Sequence, residues 1–484
     1  MNLYDIFAGT VEKSPDHPAF IGPSLDDVCS YVELKKKIDF AADRLREAGL
    51  VKGACVGLHY ASGLEYIILA YALWKCGATV VPIAVELVPE EKARICREIR
   101  LDSILSGSGS SKVFEGLQEE NGSELWADVA FIPMKPCREH PPGFSTLNAA
   151  FVRFTSGTTS ASKGVILSHE TVFDRICAAN DVLQICSADK VVWLLSMSYH
   201  FTVSIVSYLS FGATIVVCRD HFGTTIIDMA ADSGATFIYG SPVHYRAMAK
   251  SRSTRPLPHL RIAISTATQL RTETAKAFRK RFGIPLSEAY GIIEVGLPCI
   301  NLDNPVDKAG SVGRPLPTCE IRMKDLGVGT DLKAIEFRGK GFLDAYYDPW
   351  RTREETMPDG WFATGDLGKL DDEGYLYILG RSKEMISVAG MKFFPQETEA
   401  VLESHPAVRE AYVFPLPSGM FGEVPHAQVV LEKEFENQIT CSELRDFCRQ
   451  QLSLFKIPEK IVFTDRMPRT ASGKLIRQRS ESAR

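Results

Sequence analysis

Strand-length apolar runs alternate with helix-length amphipathic segments over the N-terminal two thirds of the chain, and this alternation constrains the fold more than any other feature. Leu34, Ile38, Ala41, Ala42 and Leu45 recur at helical spacing and stop before Gly49. Residues 54–58 then read as a strand, 64–74 as a helix and 79–83 as a strand. Further apolar runs at 191–195, 213–218, 236–239 and 261–265 are separated by helix-length pieces. The pattern predicts an α/β protein with a large N-terminal domain of layered, largely parallel sheets. After Gly310, Gly, Pro and Asp become frequent, and strand-like pieces at 334–338 and 375–379 lie between turn signals. This predicts a β-rich subdomain over about 310–380 within a large domain of 1–380. A helix around 397–403, strands at 408–414 and 427–431, and a helix at 442–452 predict a small α+β domain over 381–484. The break is expected at 381–383.

Charge and cysteine usage narrow the function classes. Across 484 residues, 55 Lys and Arg against 60 Asp and Glu leave a net charge of −5, no footprint for general nucleic-acid binding. No apolar run approaches the roughly 18–20 residues of a membrane span. The first residues carry Asp5 and Glu12 without a cationic leader, so no secretory signal is expected. Twelve dispersed cysteines include no C-x-x-C pair, which predicts a reduced, cytoplasmic chain without disulfide framework or metal cluster.

The stretch Phe154-Thr155-Ser156-Gly157-Thr158-Thr159-Ser160-Ala161-Ser162-Lys163-Gly164 follows one apolar strand and precedes another. Small side chains let backbone N–H groups approach phosphate oxygens, hydroxyls add donors, and Lys163 adds charge. It is not a Walker A loop, because Gly164 follows the Lys and the Gly-to-Lys spacing is one residue too long. Taken alone, it also has a plainer reading as a flexible surface linker.

The stretch resembles the phosphate loop of the adenylate-forming enzymes: acyl- and aryl-CoA synthetases, adenylation domains of peptide synthetases, and luciferases. Four more motifs follow in the family's order: Tyr290-Gly291-Ile292-Ile293-Glu294, Thr364-Gly365-Asp366, Gly380-Arg381, and Arg469-Thr470-Ala471-Ser472-Gly473-Lys474. The resemblance runs from roughly residue 30 to residue 478.

The resemblance implies that Thr155, Ser156, Gly157, Thr158, Thr159 and Lys163 hold the β- and γ-phosphates of ATP. Thr266, Ala267 and Thr268 would line the adenine, and Tyr290 with Gly291 would lie against it. Glu294 would be the Mg²⁺-associated carboxylate, and Asp366 and Arg381 would take the ribose. Lys474 would be the catalytic cation, carried by a mobile C-terminal domain with its hinge at Lys383. Gly390, in Ser387–Phe393, would give room for the pantetheine arm of coenzyme A. His200 matches the aromatic or His position beside the acyl pocket, where Phe201, Val203 and Tyr239 are also expected. Each has a plainer reading taken singly: Tyr290 and His200 as packing residues, Asp366 and Gly390 as turn residues, Arg381 and Lys474 as solvated charges.

Three segments depart from the family's pattern. Ser160 and Ser162 replace Gly and Pro in the loop, Ile293 replaces a Thr hydroxyl expected at the α-phosphate, and Ser265–Thr268 replaces a Gly-rich strand end. The segment Tyr199–Ser204 holds no acidic residue to pair a substrate ammonium, which argues against a simple α-amino acid. The expected substrate is thus an aryl or aliphatic carboxylic acid, activated with ATP and passed to coenzyme A. Two alternatives stand beside it: a ligase loading the phosphopantetheine of an acyl carrier protein, and a divergent, weakly active nucleotide- or acyl-binding relative.

Overall fold

In a computed structural model the described residues are 1–107, 109, 113–117, 122–126, 128–154, 163–325, 333–436, 438–467, 469 and 475. The phosphate-loop positions Thr155, Ser156, Gly157, Thr158 and Thr159, together with Ser160 and Ser162, lie outside them, as does Lys474. The chain forms two compact units, one of 1–320 with 337–362 and the other of 321–336 with 363–484. Residues 363–380 thus group with the C-terminal part, whereas the expected boundary put them with the large domain.

The first unit is built on two nine-stranded sheets. One places Ser287–Ile292, Ile262–Ser265, Phe237–Gly240, Lys190–Trp193, Thr214–Val217 and Pro18–Ile21 side by side, all parallel. The other centres on Gly164–Ser168, Ala149–Phe154, Thr79–Pro82, Cys55–His59 and Ser103–Gly107. The helices form for local reasons. Tyr31–Glu47 starts at a capping box of Ser30 and Glu33 and buries Leu34, Ile38, Ala41, Ala42 and Leu45, the predicted stripe. Leu64–Lys75 is buried from Tyr66 through Trp74, as expected of a helix apolar on every side. Its Trp74 Nε1–H donates to Ala150 O at 2.8 Å, and its Tyr71 packs on Phe7 and Phe201.

The β-rich stretch divides. Cys319–Asp325, Lys333–Gly339, Phe362–Leu370 and Leu376–Arg381 form a four-stranded sheet in that order. Ala345–Tyr346 and Arg351–Thr352 instead extend the second nine-stranded sheet, Ala345 pairing with Ile166 and Tyr346 with Val165. The reason is burial: Ala345, Tyr346 and Tyr347 are apolar enough to close that edge.

The second unit also carries a five-stranded sheet in which Gly422–Leu431 pairs with Val408–Ser418, Ile386–Val388 and Lys460–Phe463. Helices Pro395–Ser404 and Cys441–Arg449 contribute Leu402, Leu444 and Cys448 to its core. No helix among the described residues is long and apolar enough to cross a membrane.

Candidate active site

The first unit gathers several of the singled-out residues at the end of the Ser287–Ile292 strand. Tyr290 is half-buried, its ring stacked on Phe337 with centroids 6.1 Å apart. The following turn is held from beneath by buried Arg175. Its Nη1 donates to Ile293 O at 3.2 Å, while Nε and Nη2 donate to Gly341 O. Gly341 has φ +75°, and a Cβ there would lie 2.8 Å from the Arg175 backbone nitrogen, so only Gly allows this approach. Burial lowers the Arg175 pKa to about 10.

Glu294 O accepts from Leu343 N at 2.7 Å, and its carboxylate Oε1 accepts from the Tyr346 hydroxyl at 3.3 Å. Lys163 Nζ lies 4.7 Å from the centre of the same Tyr346 ring. Tyr346 therefore links the end of the predicted phosphate loop to the predicted metal carboxylate. Gly164 beside it is required, because a Cβ would lie 2.9 Å from Tyr347 Cβ. Among the described residues no three His, Cys, Asp or Glu side chains gather as a metal site. A single hard carboxylate suits Mg²⁺ that takes its other oxygens from phosphates and water, so Glu294 fits that ion in this form.

The segment expected to line adenine follows the strand Ile262–Ser265. Thr266 is buried, its N donating to Gly240 O at 3.0 Å and its Oγ1 to Ala289 O at 3.4 Å, next to Tyr290. Ala267 has φ +74° and Thr268 is exposed. Glu288 ties this segment together: its oxygens accept from Leu270 N and Gly310 N. Burial drives its pKa from 4.5 up to about 7.

His200 ends the short helix Met197–His200 and meets Trp193 and Tyr239 edge-on, at 6.1 and 6.5 Å. Trp193 and Tyr239 stack with centroids 5.5 Å apart. Arg153, on the strand before the phosphate loop, holds the neighbouring turn by donating to Tyr199 O. Phe201 does not join His200 and Tyr239; it is fully buried against Tyr66, Tyr71 and Trp74. Val203 is half-buried in the following turn.

In the second unit, Asp366 and Arg381 face each other in the antiparallel pair Phe362–Leu370 and Leu376–Arg381. Arg381 Nε donates to Asp366 Oδ1 at 3.1 Å, and the Asp366 side chain is buried. Lys383 is exposed in the turn Ser382–Glu384. Ala389 (φ +49°) and Gly390 (φ +83°) form a two-residue hairpin turn between Ile386–Val388 and Met391–Phe393. Both central residues having positive φ is the signature of a type I′ turn.

Tyr346, Arg175, Arg153 and Glu288 are the functional-looking residues that sequence reasoning missed. The signal available was an isolated charge within an apolar strand pattern, at Arg153 and Glu288; Arg175, next to Asp174 on its helix, gave none.

Comparison with known proteins accounts for this arrangement. Residues 7–336 match the family described as AMP-binding enzyme, and residues 397–474 its C-terminal domain. The chain belongs to this family: it is an adenylate-forming enzyme of the acid–thiol ligase type. It is 25% identical to the long-chain-fatty-acid–CoA ligase FadD13 of Mycobacterium tuberculosis, covering 96% of this chain and 95% of that protein. It is 28% identical to the 2-succinylbenzoate–CoA ligase of Bacillus velezensis, covering 92% and 91%. ATP-bound MatB from Rhodopseudomonas palustris shares the fold at TM-score 0.81 and 25% identity, covering 98% of this chain and 97% of that one. The o-succinylbenzoate CoA synthetase of Bacillus subtilis in complex with its acyl-adenylate does so at TM-score 0.86 and 24% identity, covering 100% and 99%.

The left-handed backbone at Ala267 costs a Cβ-bearing residue about 1 kcal/mol, so Ala267→Gly is expected to raise stability by about that amount in denaturant unfolding. An unchanged or lowered midpoint would contradict the strain. For Glu288, below its ordinary pKa of 4.5 the carboxyl is protonated in folded and unfolded chains alike, and between 4.5 and about 7 only the folded chain keeps the proton. Stability is therefore lost as pH rises through that window, by up to about 3 kcal/mol. Unfolding measured across it should show the gap between parent and Glu288→Gln shifting towards the variant as pH rises; a constant gap would refute the burial effect.

Proposed function

We propose that this chain uses ATP to activate an aryl or aliphatic carboxylic acid and then transfers the acyl group to the thiol of coenzyme A. The observation that carries this reading is the line of contacts from Lys163 through Tyr346 to Glu294, one residue cluster joining a phosphate cation to a metal carboxylate. The CoA ligases to which the chain is similar over nearly its whole length support the choice of acceptor.

In the first step a carboxylate oxygen attacks the α-phosphorus, and the bond to the bridging oxygen of pyrophosphate breaks. Negative charge builds on the phosphoryl oxygens, so fixed cations and donors aimed there lower the barrier. Lys163 supplies one cation at the outgoing phosphates, its ammonium kept in place by the Tyr346 face. Thr155 to Thr159 add backbone and hydroxyl donors. Glu294 would hold Mg²⁺, whose positive charge offsets that of the phosphates. Tyr290 offers a flat ring to adenine, with Thr266 to Thr268 as the opposing wall, and Asp366, oriented by Arg381, accepts from the ribose hydroxyls. Lys474 bridges carboxylate and α-phosphate as the main catalytic cation.

In the second step the thiol sulfur attacks the carbonyl carbon, the carbonyl–phosphate oxygen bond breaks, and AMP leaves. Gly390 leaves the thiol's arm room to approach, and Lys383 is the hinge. The acyl group meets an aromatic wall of Trp193 and Tyr239 edged by His200, with no acidic side chain on the 199–204 turn. This wall favours a ring or chain without a free ammonium.

Acid-dependent exchange of pyrophosphate into ATP, screened over aryl and aliphatic acids, tests the first step. Exchange with at least one such acid, followed by thioester formation with free coenzyme A, is expected. No exchange across the panel would favour a ligand-binding relative, and exchange with thioester formed only on a carrier protein would replace coenzyme A as acceptor. Lys474→Ala should lower exchange by about 100-fold or more while sparing thioester formation from pre-made acyl-adenylate. Equal loss in both steps would remove Lys474 from the adenylation role.

A further inference from the structure

Two arginines of the first unit lie in the electrostatic field of Glu294, and they are satisfied differently. Arg175 spends Nε, Nη1 and Nη2 on backbone carbonyls. Among the described residues Arg153 donates only from Nη1, to Tyr199 O, with its guanidinium 5.4 Å from the centre of the Tyr199 ring. Its Nε is shut off from solvent and has no hydrogen-bond partner, and among the described residues Arg153 makes no ion pair. A buried donor on a cation is costly to leave empty, and few such groups persist without a reason.

Its surroundings indicate the reason. Arg153 is the next-to-last residue of the strand Ala149–Phe154, directly before the phosphate-loop stretch. It is anchored to the turn that presents His200 and shares the field of the predicted metal carboxylate. Burial presses its pKa downward while Glu294 and the tyrosines 199 and 66 press it up. At Ile293, where a hydroxyl is expected to meet the α-phosphate, this chain has an apolar, buried side chain. The site therefore lacks one donor and holds another unused.

We propose that Arg153 is a substrate-binding residue whose Nε–H donates to an anionic oxygen brought by the reactants, either of the nucleotide α-phosphate or of the acid carboxylate. The proposal rests on the adenylation reading above. A charge-assisted bond of this kind is short and strong, and the fixed planar guanidinium can aim separate donors at Tyr199 O and at an oxyanion in a geometry an ammonium does not fix.

Calorimetric titration of AMP and of adenosine into the parent, Arg153→Gln and Arg153→Lys proteins tests this, alongside KM values in pyrophosphate exchange with an acid the parent accepts. If the oxygen is the α-phosphate's, the Gln variant binds AMP about tenfold or more weakly with adenosine affinity unchanged, and the Lys variant falls between. If it is the carboxylate's, AMP affinity holds and KM for the acid rises about tenfold while KM for ATP does not. Unchanged AMP affinity together with unchanged acid KM overturns the proposal. So does an equal loss of AMP and adenosine binding, the mark of a residue that only supports the fold. A parent that binds neither AMP nor adenosine defeats the adenylation reading itself, and this proposal with it.

Discussion

Three hydrogen bonds from one buried guanidinium to backbone carbonyls hold the Tyr290–Glu294 turn of the candidate site in place. Arg175 joins Ile293 O to Gly341 O, so the Tyr290–Glu294 turn and the 341–346 segment move as one piece. From that joint follow the two contacts that define the site: Leu343 N on Glu294 O, and the Tyr346 hydroxyl on the Glu294 carboxylate. The Tyr346 face then stations Lys163. A cation buried at this depth is expensive, and its cost is offset by filling its donors rather than by a direct carboxylate partner.

The aromatic cluster around Trp193 and the Thr266–Thr268 segment are likewise one connected structure. His200 edges Trp193 and Tyr239, Tyr239 lies one strand from Thr266, and Thr266 reaches the carbonyl before Tyr290. Trp193, Tyr239 and Thr266, on or just after adjacent parallel strands, lie together at the strands' carboxyl ends, where open α/β sheets place ligands. Departures from the family pattern fall at this end of the sheet, at Ser265–Thr268 and at Ile293.

Much of this was readable in advance. The stripe from Leu34 to Leu45, the strand runs at 191–195 and 236–239, and the α/β class follow from periodicity, because burial of a face leaves a repeat of fixed period. Motif order carried the family. Other features were not readable, for physical reasons. Ala345–Tyr346 joins a sheet whose other strands lie far away in sequence, and no local pattern announces such pairing. Arg153, Arg175 and Glu288 act through distances between remote segments, and a single charge in an apolar run does not reveal its partner. Phe201, expected beside the acyl group, fills the core against Tyr66 and Trp74, because a large ring next to a functional His is as useful for packing as for binding.

A crystal structure with a non-hydrolysable acyl-adenylate mimic addresses the central claim most directly. The account predicts adenine against the Tyr290 ring beside Thr266, with the linkage that replaces the mixed anhydride near Glu294. A mimic bound elsewhere, with Tyr290 and Thr266 untouched, would contradict it.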